Sequence, residues 1–122
     1  MFTITDTLII VTINMTKTNM KYIITENRLN NIANTWLNDR YGNLRKRKFQ
    51  GYPNDEFLST DEGMFFMNYH KNTKIIEVKH KISDELEDMF GFDQQMSREI
   101  LIPWVENKYG YKIKRMVFHT EV

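Results

Sequence analysis

The chain has 122 residues, 41% of them hydrophobic and 27% charged, with a net charge of +1 and no cysteine. That length is one ordinary domain, able to bury about two-thirds of its unfolded surface without a metal or disulfide. The composition excludes disulfides, thiolate metal sites and a cysteine nucleophile, and the charge excludes a whole-protein pull toward nucleic acid or anionic lipid.

No apolar run approaches the ~20 residues of a membrane span, so no membrane partner is expected. Leu8–Val11 is the longest early apolar run, and Asp6 stands before it where a signal peptide carries positive charge. Thr7 to Asn14 is dense in β-branched residues and reads as a strand. Thr16 to Asn19 reads as a polar connector, and Met20 offers a second plausible start. Residues 1–19 are thus an extra strand or an extension, ahead of a single domain over 20–122. An exposed Ile-rich segment left unpaired would be an aggregation hazard, which favours an ordered strand.

Thr25 is a good N-cap for a helix. Leu29, Ile32, Ala33, Trp36 and Leu37 follow at helical spacing, and Gly42 closes the helix as a left-handed cap. Leu44 to Gln50 reads as an edge strand or a loop. After the Tyr52–Asp55 turn, Glu56–Ser59, Met64–His70 and Lys74–Lys81 read as three antiparallel strands. Ser83 is a candidate N-cap, followed by Asp84, Glu85 and Glu87 where a helix dipole favours acids. Asp93 or Ser97 opens a third helix that ends at Gly110, and Pro103 inside it predicts a kink or break. Tyr111 to His119 is the last strand. The expected class is α+β: an antiparallel sheet with three helices packed mainly on one face, in the order β-α-β-β-β-α-α-β.

Arg45, Lys46, Arg47 and Lys48 form a basic run beside Phe49 and Tyr52. Cations interleaved with aromatics suit phosphate neutralisation and base stacking, so these four residues are candidate nucleic-acid or anion contacts. The competing reading is a lysine-rich edge strand that merely blocks sheet-to-sheet pairing. Met64, Phe65, Phe66 and Met67 cannot all face inward on a strand with one buried side. Either both faces are covered, or Met64 and Phe66 mark a partner surface. Charge is segregated: residues 82–106 are acidic, and Lys79, Lys81, Lys112 and Lys114 make a basic sheet face if they project together. A bipolar surface suits a protein partner or self-association. His70, His80 and His119 read as exposed strand histidines. No metal ligand set, cofactor motif, nucleophile elbow, phosphate loop or paired acid/base pattern is expected, which leans away from an enzyme; carboxylates dispersed in sequence are the remaining catalytic route. Helix, three strands, helix is also the order of a double-stranded-RNA-binding domain, but Asp84, Glu85 and Glu87 stand where such a domain needs cations.

Tyr22-Ile23-Ile24-Thr25-Glu26, Tyr41-Gly42-Asn43-Leu44, Tyr52-Pro53, Leu86–Phe92, Trp104-Val105-Glu106 and Lys108-Tyr109-Gly110 carry a resemblance. Over residues 20–118 the chain resembles a loose group of small proteins of tailed bacteriophages, marine ones especially, which have no known activity. Similar proteins usually read Lys where this chain has Pro103. The resemblance implies a viral accessory or virion-associated protein, located in the host cytoplasm or the virion. Together with the missing catalytic motif, it makes a non-enzymatic protein-binding role the leading expectation and nucleic-acid binding through residues 45–48 the alternative.

Overall fold

A computed structural model describes the backbone of residues 8–15 and 18–119, and side chains from residue 27 to residue 119. The β-branched N-terminal segment is β1 (Leu8–Met15), and it pairs antiparallel with β2 (Thr18–Thr25). This hairpin is a two-stranded sheet of its own, set against the helices rather than joined to the main sheet. The single sheet expected from sequence is therefore two. Thr16 and Lys17 of the expected connector, and the capping side chain of Thr25, lie outside the described residues.

Helix α1 (Glu26–Tyr41) buries Leu29, Ala33 and Leu37, with Ile32 and Trp36 packed at the margin of the core. Its 3.6-residue apolar stripe is thus the face it buries. Gly42 ends the helix, but not through a left-handed backbone. Its N–H still donates to Asn38 O at 3.1 Å, and a Cβ there would meet that oxygen at 2.4 Å. Close approach, not a positive φ, is what requires glycine.

Four strands follow: β3 (Arg45–Phe49), β4 (Tyr52–Ser59), β5 (Phe65–His70) and β6 (Ile75–Lys79). They form an antiparallel meander, and β7 (Arg115–His119) completes a five-stranded sheet in chain order. β7 runs parallel to β6, so the sheet is mixed rather than wholly antiparallel. The connection between them passes through two helices, the long crossover that a parallel pair requires in place of a hairpin.

Helix α2 (His80–Phe90) starts directly after β6, so Ser83 is buried inside it instead of capping it. Its first turn therefore contains no acid. That removes the charge objection to a double-stranded-RNA-binding order, but four strands, not three, separate α1 from α2. Helix α3 (Gln94–Tyr109) is capped by Asp93, whose Oδ1 accepts from Met96 N at 2.8 Å. It runs unbroken through Pro103. The expected break is offset by the burial of Ile100, Leu101, Trp104 and Val105 around it, and by the Trp104 Nε1 donation to Asn38 Oδ1 at 2.8 Å. Gly91 and Gly110 stop α2 and α3 in the left-handed region, so the third helix ends at Gly110 as its sequence predicts.

The core lies between the helices and one sheet face. Leu58, Met67 and Val78 stand in register across β4, β5 and β6 and are fully buried. Glu56, Tyr69, Ile76 and Met116 form the next row on that side. Each large apolar side chain in such a row contributes about 1.5–3 kcal/mol by leaving water.

Replacing Gly42 by alanine is expected to destabilise the fold by about 1–3 kcal/mol, since the methyl group overlaps a backbone carbonyl. Urea denaturation checks this; a stability within about 0.5 kcal/mol of wild type removes the close-approach argument.

Candidate functional site

Strand alternation divides the basic run. Lys46 is in register with buried Leu58 and faces the helix side, whereas Arg47 opposes Phe57 on the other side. Arg45 pairs with Asp61 at 2.5 Å, and Arg47 Nε donates to Ser59 Oγ at 2.6 Å. β3 is an edge of the sheet, so all four cations stand on a border, but they do not form one patch.

On the helix side, a concavity of about 440 Å³ gathers Lys46, Lys71, Lys74 and Lys112 around Glu56, Tyr69 and Tyr111. The lysines come from three segments: β3, the β5–β6 turn and the approach to β7. Glu56 is only 7% exposed. Lys71 Nζ reaches its Oε2 at 3.1 Å, Lys46 Nζ its Oε1 at 3.6 Å, and Tyr111 Oη donates to Oε1 at 3.0 Å. Burial opposes the charge on Glu56, but Lys71, Tyr111 and Lys46 outweigh it and hold the carboxyl below its usual range. Burial, with the neighbouring Glu56 charge, pushes the Tyr111 hydroxyl up. Tyr111 stacks on Tyr69 with ring centroids 4.1 Å apart, and Lys46 lies 4.8 Å from its ring. Tyr69 Oη donates to Lys112 O at 2.6 Å, which fixes the segment carrying Lys112.

Lys48 touches Lys71, and that contact holds Lys48 below the usual lysine range while Lys71 is held above it. Two ammonium groups in contact cannot both keep full charge at no cost. Four lysines thus line a concavity that holds one carboxylate, and Lys48 adds a fifth cation at its margin. Lys74 also sits at φ 59, a left-handed backbone uncommon for residues other than glycine, asparagine or aspartate.

Tyr109 fixes the position of β3 relative to this basin. Its hydroxyl donates to Tyr41 O and accepts from Leu44 N at 3.1 Å, while its own carbonyl takes Lys46 Nζ at 2.5 Å. Burial raises the pKa of that hydroxyl above its ordinary value.

The opposite sheet face carries no helix. Phe57 is the centre of an aromatic cluster there, with Phe49, Phe65 and Tyr52 at 5.2, 5.6 and 5.8 Å in edge-to-face geometry. Phe49 is 41% exposed and Tyr52 58%. Both belong to the β3–β4 hairpin that also carries Lys48. Further along, His70 Nδ1 meets Asp55 Oδ1 at 2.8 Å and its Nε2 meets Glu77 Oε2 at 3.2 Å. Glu77 Oε1 meets His119 Nε2 at 3.1 Å. His80 stands apart at the start of α2, paired with Asp84. Among the described residues no group of three or more His, Asp or Glu side chains is placed to hold a metal ion.

Of the two residues expected to mark a partner surface, Met64 is exposed and Phe66 is buried. Leu58 opposes Met67 while Ser59 opposes Phe65, which leaves Phe66 as the extra residue of a β-bulge. The bulge lets Phe66 and Met67 both face the helices: Phe66 is 6% exposed and packs edge-on to Tyr41 at 5.2 Å. Met64 is exposed in the preceding turn. Lys79 and Lys81 cover Phe66 at 5.4 and 5.8 Å instead of lining a basic sheet face with Lys112 and Lys114. Lys71 and Lys74 were not singled out from sequence; their position on both sides of a two-residue turn tip was the available signal.

No family model, curated protein or solved structure matches this chain.

Phe66→Ala is expected to cost about 3–5 kcal/mol in chemical denaturation, whereas Met64→Ala should stay within about 0.5 kcal/mol. Equal effects contradict the bulge assignment. For His70, burial favours the neutral ring, but its hydrogen bonds to the Asp55 and Glu77 carboxylates prevail and raise its pKa above 6.5. The folded state therefore holds the proton more tightly. This contribution is complete below pH 6.5 and is lost as pH rises through the raised value. Stability followed upward from pH 6 should fall in wild type more than in His70→Gln; parallel curves remove the argument.

Proposed function

We propose that this protein binds single-stranded nucleic acid without catalysing a reaction, with phosphates in the lysine basin and bases on the β3–β4 hairpin. The observation that carries this reading is the convergence of Lys46, Lys71, Lys74 and Lys112 on one concavity holding one carboxylate, with Lys48 beside Lys71 at its margin. Phosphate oxygens supply the missing counter-charge, and each neutralised phosphate releases a condensed cation to solvent. Phe49 and Tyr52 present exposed rings on the hairpin that carries Lys48. Bases reach such rings only when unpaired, and each stacked base is worth about 1–3 kcal/mol. Lys74 adds support: a strained backbone kept at a cationic residue points to use of its side chain.

The basic run keeps a role in this reading, but a divided one. Lys46 and Lys48 serve the basin; Arg45 and Arg47 brace the open face through Asp61 and Ser59. Protein binding, the leading expectation from sequence, loses the support it drew from Phe66, which lies in the core. A viral accessory role is the accompanying proposal, supported by the resemblance of residues 20–118 to tailed-phage proteins.

Fluorescence anisotropy of a labelled oligothymidylate across a salt series tests the reading. Affinity should fall steeply with salt, and Lys71→Glu or Lys112→Glu should each weaken binding and flatten the log–log slope by at least about 0.7. Lys74→Asn should keep or raise stability, since asparagine tolerates the left-handed backbone, while lowering affinity. Binding that ignores salt, or tighter binding of duplex than of single strand, overturns the proposal.

A further inference from the structure

We infer that the outer edge of β7 is an acceptor for an extended acidic peptide segment, which adds as a sixth strand in the groove between β7 and α3. β7 ends the five-stranded sheet, and no described strand pairs with its outer side. Arg98 Nε donates to Met116 O at 3.1 Å, so that carbonyl points away from β6. The two-residue period of a strand turns the N–H and C=O of Phe118 to the same outward side. Arg98 also lies 5.1 Å from the Phe118 ring, which fixes the guanidinium along the edge. A single side chain thus occupies one carbonyl of a row of backbone groups that no described strand pairs with. Such a row is a ready template for another strand.

Beside this edge lies a concavity of about 630 Å³, distinct from the lysine basin. Its apolar lining is Ile102, Pro103, Met116 and Val117, and its charged lining is Arg98, Lys114 and Arg115 against Glu99. The apolar groups suit alternate side chains of an added strand. The cations select carboxylates on that strand, as charge complementarity fixes partner and register. A second copy of this chain is a poor occupant, because pairing β7 with β7 sets these cations against themselves. Pro103 is exposed on α3 and adds apolar surface to the groove wall. Arg98 would leave Met116 O as the new strand arrives and pair with one of its carboxylates, so the edge is shielded when empty and cationic when filled.

The test uses the full, isotopically labelled chain with two synthetic peptides, one a Val-Glu repeat and one a Val-Lys repeat. The Val-Glu peptide should shift the amide signals of Met116 and Phe118 and slow the exchange of outward-facing N–H groups, while the Val-Lys peptide leaves them unchanged. Arg98→Glu should weaken Val-Glu binding by roughly tenfold or more and admit the Val-Lys peptide. Should that variant not fold, Arg115→Glu on the same edge reads the same reversal. Equal response to both peptides overturns the inference. So does a response confined to Lys71 and Lys112, which would mean simple polyanion capture in the basin, or an oligonucleotide that displaces the peptide from Met116 and Phe118. The readout at β7 is independent of whether the basin binds nucleic acid.

Discussion

The buried hydroxyl of Tyr109 holds three parts of the molecule in one place. It accepts from Leu44 N and donates to Tyr41 O, so the end of α1, the entry to β3 and the end of α3 share a single polar atom. Two backbone groups at a helix-to-strand junction would otherwise be buried without partners, at about 1–3 kcal/mol each. The carbonyl of Tyr109 then takes Lys46, and two residues on Tyr111 takes Glu56. The edge strand, its lysines and the basin they line are all referenced to the C-terminus of α3. That terminus carries partial negative charge, which favours a cation there before any ligand is considered.

Glu56 shows how the basin is organised. A buried carboxylate is costly alone, and here Lys46, Lys71 and Tyr111 compensate it. Those contacts draw lysines from β3 and from the β5–β6 turn to a common point. They do not neutralise Lys48, Lys74 or Lys112, for which no described carboxylate stands within ion-pair distance. One carboxylate therefore positions more positive charge than it cancels.

The parts of the fold that repeat at short range were legible in the sequence. The stripe Leu29, Ala33 and Leu37 gave α1, and Gly91 and Gly110 marked the ends of two helices. What depended on pairing was not. The parallel direction of β7 and the separation of the β1–β2 hairpin are set by which strand lies beside which, and no local pattern encodes that. Phe66 is a sharper case. Period-2 alternation sends it to the face opposite Met67, and a single extra residue in β5 reverses this. The same limit applied to the site: Lys46 and Lys48 were visible as part of a run, but Lys71, Lys74 and Lys112 joined them only through the fold.

Strand alternation also explains why one basic run can serve two surfaces without being a patch on either. Adjacent residues of β3 point to opposite sides, so four consecutive cations supply two to the helix side and two to the open side. Each pair then acquires different neighbours. On the open side Asp61 and Ser59 engage the arginines and hold them beside the aromatic cluster. On the helix side the lysines meet further lysines. A charge run on an edge strand is thus read correctly only after it is split by face, and the face where like charges accumulate is the one on which the proposed nucleic-acid contact rests.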